Sequence, residues 1–469
     1  MLSVYLGEDV FLKGVAQYLK AHAFSNTQTN DLWKALGDAS GMDITTMMSV
    51  WTLNVGHPIL TVTESNGIVN VKQNRYLRSG NVKPEEDKTI WPVFLGVLTA
   101  DGVDKQLLLN SRDASFKLPK DDFYKLNSGH SGVYRVLYPE SRYRKFISSI
   151  KDGNFSPADR AGLLFDAISL TQSGHLSLPL TFDLTLALST DSSYFVWQAL
   201  TAWFTALKSA WTFHDHGLFV PQITHAQRRI IARQSHKFGI APSAPNDVID
   251  AQFKATLFAT AGLAGDLSSV KTARVLFDNF LAGDRNAIPV DLRAAVFQIV
   301  LHAADGSDAD YDAVLAEYDT GATTADERVT ALSALGYARR PGLLSRTVAL
   351  ALDRNRVSNT VLASLVSGLS THPAGIMALF DTLLDHIEEV KKRYGGGLGG
   401  LGSVLKLFCA GLATHEQADR LEVFFEGKET SGFERTLAQV VEEIRIRAEW
   451  VKRDSGALKD WLDEHADEV

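Results

Sequence analysis

Histidines are the first residues to test for chemistry, since a neutral imidazole ligates metals and carries protons near neutral pH. His415-Glu416 opens as the zinc-binding H-E-x-x-H helix does, but the position four residues after His415 is Asp419. An aspartate can ligate zinc in principle; one histidine and one aspartate are an incomplete set, and the run reads as a chance match. His214, His216 and His225 crowd the segment FHDHGLFVPQITH. Their spacing suits neither a helical ligand pair nor a recurring zinc motif, so they read as surface or loop histidines. Gly397-Leu398-Gly399-Gly400-Leu401-Gly402 satisfies G-x-G-x-x-G letter for letter. Dinucleotide binding would need a strand before it, whereas Asp385 to Tyr394 reads as a charged helix, so Gly395 to Gly402 is expected to be an inter-helix loop. No nucleophile elbow or P-loop occurs, and the single cysteine, Cys409, has no evident base partner. Acid pairs such as Glu442-Glu443 read as exposed helix faces. No catalytic, cofactor-binding or metal-ligating residue is assigned.

The elements that would have to position any site change character along the chain. Residues 1–37 read as helices, with Val10, Phe11, Val15 and Tyr18 near helical spacing and Asn30-Asp31 starting a second helix. From about Ser49 to Phe116 the period becomes two. Val50 to Val55, Ile59 to Thr63, Ile68 to Lys72, Val93 to Leu98 and Lys105 to Leu109 are expected strands, with hairpin turns at Asn66-Gly67 and Asp101-Gly102. Short strands with frequent turns predict a small β-sandwich, with Pro84 to Lys88 as a loop. The junction Lys125 to Pro139, KLNSGHSGVYRVLYP, is a small-residue loop followed by a strand-like run.

Beyond it nearly everything reads as helix. Ser156-Pro157-Ala158-Asp159 starts one: a hydroxyl caps free amides, proline suits the first turn and the acid complements the dipole. Leu163, Leu164, Ala167, Ile168 and Thr171 share a face, and Gly174 ends it. Phe182 to Leu186 is ambiguous between helix and strand. Later amphipathic runs break at Gly283, Gly306, Gly321, Pro341 and Pro373, and Leu437, Val440, Val441, Ile444, Ala448 and Val451 form a final stripe. Helices of this kind stack in pairs, each burying its apolar face on the next. No clean repeat consensus emerges, and a compact helical domain is the alternative.

Composition bounds the function. The chain has 469 residues, 45% hydrophobic and 22% charged, which is ordinary globular material for several domains. A net charge of −8 without a basic block argues against nucleic acid as a partner. No window approaches the roughly 20 apolar residues of a membrane span. The N-terminus has no secretory pattern, since Glu8, Asp9 and Lys13 interrupt its apolar residues. With one cysteine, a reducing, cytoplasmic location is expected.

At these same residues the chain resembles the C-terminal portion of the gluzincin zinc aminopeptidases, the puromycin-sensitive type above all. MLSVYLGEDVFLKGVAQYLKAHAFSNTQTNDLWKAL resembles the last helices of that family's catalytic domain. VWTLNVGHPILTVTE resembles the entry to its β-sandwich, and LNSGHSGVYRVLYP the junction before its helical domain. DRAGLLFDAISLTQSGHLSL, ERVTALSALGYARRPGLLSR and the tail from RYGGG to EWVKRD continue the likeness in the same order. The implied fold is mainly α with a small β module: tail helices of a catalytic domain over 1–40, a β-sandwich over 41–120 and a HEAT/armadillo-like helical repeat domain over 121–469. It also favours helix for Phe182 to Leu186.

The family's H-E-x-x-H, its downstream glutamate and its G-A-M-E-N segment are absent here, so no family ligand or catalytic residue maps onto a position of this chain. Zinc belongs to the full-length family, and no cofactor is expected in this chain. The resemblance implies the non-catalytic half of a peptide-trimming enzyme, a fragment, truncated form or split product inactive alone, whose partners are peptides and the missing catalytic domain. The alternative is a free-standing helical-repeat scaffold that binds peptides or proteins.

Overall fold

The computed structural model describes residues 1–80, 82–105, 107–119, 122–244, 246–394 and 400–466. They form two compact units, 1–199 and 200–469. Twenty-one α-helices and nine short strands lie among the described residues, with every strand between Pro58 and Leu137. The chain is mainly α with a small β module, as expected. No described helix is long and apolar enough to cross a membrane.

The first unit opens with helices Leu2–Leu6, Glu8–Ala21, Thr29–Ser40 and Ile44–Leu53. Leu2, Leu36, Ile44 and Met48 make a small core, flanked by half-buried Phe11, Val15, Trp33 and Trp51. Val50 to Val55 is therefore not a strand. Asp43 caps the Thr46 amide, and Ile44, Met47 and Met48 fall at helical spacing on one buried face, which overrides the strand-like composition of VWTLNV. Trp51 Nε1 donates to the Pro92 carbonyl at 3.1 Å and ties this helix to the β module.

Strands Pro58–Ser65 and Ile68–Arg75 form the expected hairpin, with Asn66 and Gly67 both at positive φ (51° and 74°). Asp113–Lys117 flanks it on one side, antiparallel, and Arg135–Leu137 from the junction joins the other side in parallel. The run expected over Val93 to Leu98 splits into Val93–Phe94 and Val97–Thr99 around Gly96, whose φ is 50°. Val97–Thr99 turns through Ala100-Asp101 into Gly102–Asp104, one residue earlier than expected. Among the described residues of Lys105 to Leu109, Leu108–Leu109 forms the strand, paired with Val93–Phe94. Pro84–Glu86 is a short 3-10 turn within the expected loop.

The expected helix starts at Pro157, with Ser156 Oγ accepting from the Asp159 amide, and runs to Gln172. Phe182 to Leu186 lies inside helix Leu178–Leu188.

In the second unit the helices pack in two rows. One runs Val248–Leu263, Arg293–His302, Ala325–Leu335, Leu362–Leu369 and Gly400–Phe408, each against the next. The other contains Leu267–Leu281, Asp308–Ala316, Pro341–Leu352, Pro373–Asp385 and His415–Phe425. One continuous core from Phe258 to Ile444 fills the space between them. Arginine–aspartate pairs link neighbours of the second row: Arg274–Asp310 at 2.9 Å, Arg346–Asp312 at 2.5 Å and Arg420–Asp381 at 2.9 Å. The 31-residue helix Glu434–Glu464 packs on Phe219–Phe238, and its Trp450 ring lies 4.9 Å from that of Trp211.

Candidate functional site

The residues singled out for metal chemistry do not converge. His415 starts helix His415–Phe425, where its Nε2 lies 2.9 Å from Glu449 Oε1, while Asp419 pairs with Arg445 at 2.8 Å. These are ties to the last helix. His214 and His216 occupy a short turn in which Asp215 and His216 have positive φ, and His225 Nδ1 lies 2.9 Å from an Arg228 nitrogen. Among the described residues no three His, Cys, Asp or Glu side chains group so as to hold a metal ion. Gly395 to Gly399 of the glycine run lie outside the described residues. Helix Ile387–Tyr394 precedes them, and Gly400 begins the next helix, so the βαβ context of a dinucleotide site is missing there.

The densest polar network sits at the junction and is structural in its geometry. Lys125, almost wholly buried, donates to Asp159 Oδ1 at 2.9 Å and to the carbonyls of Leu126 and Asn127 at 3.1 and 2.8 Å. Asp159 also accepts from the Gly129 amide at 2.7 Å and from Ser156 Oγ at 2.6 Å. Burial opposes its ionisation, but Lys125 and these donors hold its carboxyl below the usual carboxylate range. Gly162 lets helix Pro157–Gln172 approach the loop, since a Cβ there would come 2.5 Å from the His130 ring. Nearby, the buried Arg142 guanidinium is shared by Glu64 at 2.7 Å and Asp122 at 2.7 Å. Every charge in both networks has an opposite partner.

A different arrangement occurs in the second unit, where basic side chains collect at successive helix ends. His302 is the last residue of Arg293–His302, Arg339 follows Ala325–Leu335, and His372 follows Leu362–Leu369. These helices are consecutive members of one row, and two glycines bring their ends together: a Cβ on Gly336 would lie 2.3 Å from the Leu365 carbonyl oxygen. Lys208 reaches in from helix Tyr194–Trp211 and donates to Gln227 Oε1 at 2.8 Å.

Burial and mutual repulsion shape these groups. Burial, then the charge of Arg339, brings Lys208 down to about 8. Burial, then Arg339, Lys208 and His372, hold His302 at about 3, with a small opposing contribution from the Leu263 carbonyl. Burial, then Arg339, hold His372 at about 4. Arg339 is exposed, yet enough protein surrounds its guanidinium that desolvation lowers it. His372 Nδ1 accepts the Gly375 amide at 3.1 Å, which places the ring proton on Nε2, and that buried nitrogen has no partner. None of the four groups has a carboxylate among the described residues to offset it. These residues carry little signal in the sequence, although Arg339 and His372 stand just upstream of the helix-starting Pro341 and Pro373.

Comparison with known proteins gives this architecture its class. Residues 123–446 match the ERAP1-like C-terminal domain and residues 1–51 match the peptidase family M1 domain. The chain belongs to the ERAP1-like C-terminal domain family. It is similar to aminopeptidase 2 of Candida albicans, 36% identical over 465 residues covering 99% of this chain and 50% of that protein. It is also similar to the alanine/arginine aminopeptidase of Saccharomyces cerevisiae, 34% identical over 466 residues, 99% of this chain and 54% of that protein. The puromycin-sensitive aminopeptidase of Caenorhabditis elegans is 25% identical over 480 residues, 98% of this chain and 50% of that one. The chain spans about half the length of these curated relatives. M1 peptidases are zinc enzymes, and the described residues of this chain do not supply a fitting ligand set.

Proposed function

We propose that this chain is the non-catalytic C-terminal half of a zinc aminopeptidase, which supports the catalytic domain and encloses the peptide from which N-terminal residues are removed. The observation that carries this reading is the unequal match: the C-terminal domain family spans 123–446, whereas the M1 peptidase domain matches only 1–51. The described residues also bring no metal-ligand triad together, and without a bound ion there is nothing to activate water or polarise a scissile carbonyl as such peptidases require. Peptides and an aminopeptidase catalytic domain are the proposed partners, and the proposed location is cytoplasmic.

Metal analysis and an aminoacyl-naphthylamide assay test this. Purified chain should carry well under one zinc per molecule and release no amine, and adding the catalytic portion of a related aminopeptidase should give peptidase activity that depends on both pieces. About one zinc per chain, with chelator-sensitive hydrolysis by the chain alone, would refute the reading.

One observation favours the second reading, a free-standing scaffold: the N-terminal helices bury Leu2, Leu36, Ile44 and Met48 in a core of their own. Against it, Leu12 and Leu19 on helix Glu8–Ala21 are 53% and 61% exposed, apolar surface suited to a further partner. Hydrogen exchange in residues 1–53 separates the two. Protection that rises when the catalytic portion is added supports the first reading, and full protection in its absence supports the scaffold.

A further inference from the structure

We propose that the Asp113–Lys117 edge of the four-stranded sheet is a contact site for a second copy of this chain, which pairs with it antiparallel about a two-fold axis at Ser115. The strand order places Arg135–Leu137 at one edge of that sheet and Asp113–Lys117 at the other. The first edge is closed: the Val136 amide donates to Asp166 Oδ2 at 3.2 Å, and helix Pro157–Gln172 lies against the strand. The second is open. Two bonds mark its inner side, from the Gln73 amide to the Arg112 carbonyl and from the Leu118 amide to the Gly67 carbonyl, both 2.9 Å. Direction alternates along an antiparallel ladder, so Ala114 and Phe116 bond inward while Asp113, Ser115 and Lys117 point their amides and carbonyls away from the sheet. Among the described residues these outward groups have one partner, Ser111 Oγ, which donates to the Asp113 carbonyl at 2.7 Å. Asp113, Ser115 and Lys117 are exposed, with half-buried Ala114 and Phe116 between them.

An unpaired strand edge is a template for another strand. What this edge fits follows from the run DASFK. Pairing centred on Ser115 sets Asp113 opposite Lys117 of the second copy, Ala114 opposite Phe116 and Ser115 opposite Ser115. Outward groups then meet outward groups, and both charge contacts are attractive. A shift by one residue sets outward groups against inward ones, and a shift by two loses both charge pairs. Within each copy Asn70 lies beside Ser115 and Lys72 beside Asp113, so the joined surface stays polar on its solvent face. The contact merges two four-stranded sheets into one of eight. The ordinary reading of edge charges is that they keep other strands away. A single sign does that. One charge of each sign, placed evenly about Ser115, repels mismatched strands and admits a copy of itself. Five residues per copy bury less than a standard interface, so the dimer is weak, with a Kd of roughly 10–100 µM.

Sedimentation equilibrium of the full chain tests this. From about 1 to 500 µM the mass should rise from one chain to two and stop there, because pairing uses up the edge on both copies. Hydrogen exchange of the 113–117 amides should slow over the same range. Asp113→Lys and Lys117→Asp each turn both contacts into like-charge pairs, and each should weaken the dimer at least about tenfold. Joining the two changes in one chain should restore it. An equimolar mixture of the two single variants should also dimerise as the parent does, although neither pairs with itself. Asp113 faces Lys72 in its own sheet, so urea midpoints are taken alongside to show that the variants fold. A parent still monomeric at about 500 µM overturns the proposal. So does a dimer that both single variants leave intact, which places the contact elsewhere, and so does a mixture that stays monomeric. Protection of 113–117 by an added aminopeptidase catalytic portion, without dimerisation, would assign the edge to that domain and overturn it as well.

Discussion

Replacing Lys125 by methionine tests whether the junction is held by its buried ion pair. The change keeps most of the side-chain length and removes the ammonium, with its bonds to Asp159 at 2.9 Å, Leu126 O at 3.1 Å and Asn127 O at 2.8 Å. Asp159 keeps the Gly129 amide and Ser156 Oγ but loses its counter-charge in a site where its own side chain is 4% exposed. Breaking one side of a buried pair costs roughly 3–5 kcal/mol, because the remaining charge stays desolvated. Asp159→Asn should cost less, about 2–3 kcal/mol: the amide oxygen still accepts from Gly129, and Lys125 keeps two carbonyl partners. The double variant removes both charges, so its loss should fall at least about 2 kcal/mol below the sum of the single losses. Native-state hydrogen exchange read on peptides from 126–138 and 157–172, with urea unfolding alongside, gives these energies locally. A Lys125→Met loss under about 1 kcal/mol, or single losses that simply add, would refute the reasoning.

Gly336→Ala should destabilise the second unit by roughly 1–3 kcal/mol, because its Cβ would come 2.3 Å from the Leu365 carbonyl oxygen and the backbones must part; an unchanged urea midpoint would mean that contact is soft. His372 stays neutral when folded down to about 4, so an unfolded chain takes up a proton there below the ordinary value of about 6.5 and stability falls as pH drops through that window. The gap is worth up to roughly 3 kcal/mol. His372→Asn, which keeps an acceptor for the Gly375 amide, should flatten unfolding free energy between pH 6.5 and 5, and an unaltered slope would show that the ring titrates freely. Cys409 is 2% exposed and burial pushes its thiol up to about 12, so iodoacetamide at pH 8 should label it only in urea; rapid labelling of folded chain would contradict this.

Local signals in the sequence were reliable where one backbone requirement decides the structure. Asn66-Gly67 makes its hairpin because two positive φ angles are needed there, and Ser156-Pro157 starts its helix because a cap and a fixed φ coincide. VWTLNV carries β-prone residues near Trp51, but the upstream cap at Asp43 and the apolar spacing of Ile44, Met47 and Met48 fix a helix first. The short strands Gly102–Asp104 and Asp113–Lys117 gave little pattern, since none of their residues is buried. The helix pairs were legible as helices, but their repeat was not, because the arginine–aspartate links between neighbours join residues 34 to 39 positions apart without a fixed interval. Tertiary clustering was hardest to see: Lys208, His302, Arg339 and His372 come from separate helices and meet only when the row is stacked.

Charge is handled differently in the ion pairs between neighbouring helices and at the C-terminal ends of one row, and the difference has an energetic meaning. Along the row containing Pro341–Leu352 and Pro373–Asp385, Arg346 and Arg420 meet Asp312 and Asp381 of neighbouring helices at the surface, in pairs worth roughly 0–1 kcal/mol each. Such pairs contribute more to the register of neighbouring helices than to total stability. At the ends of Arg293–His302, Ala325–Leu335 and Leu362–Leu369, positive charge gathers without described carboxylates and two imidazoles are held neutral. These groups stand at or just after helix C-termini, where positive charge answers the negative helix ends, while the row itself is held by its continuous apolar core and by the contact of Gly336 with Gly368.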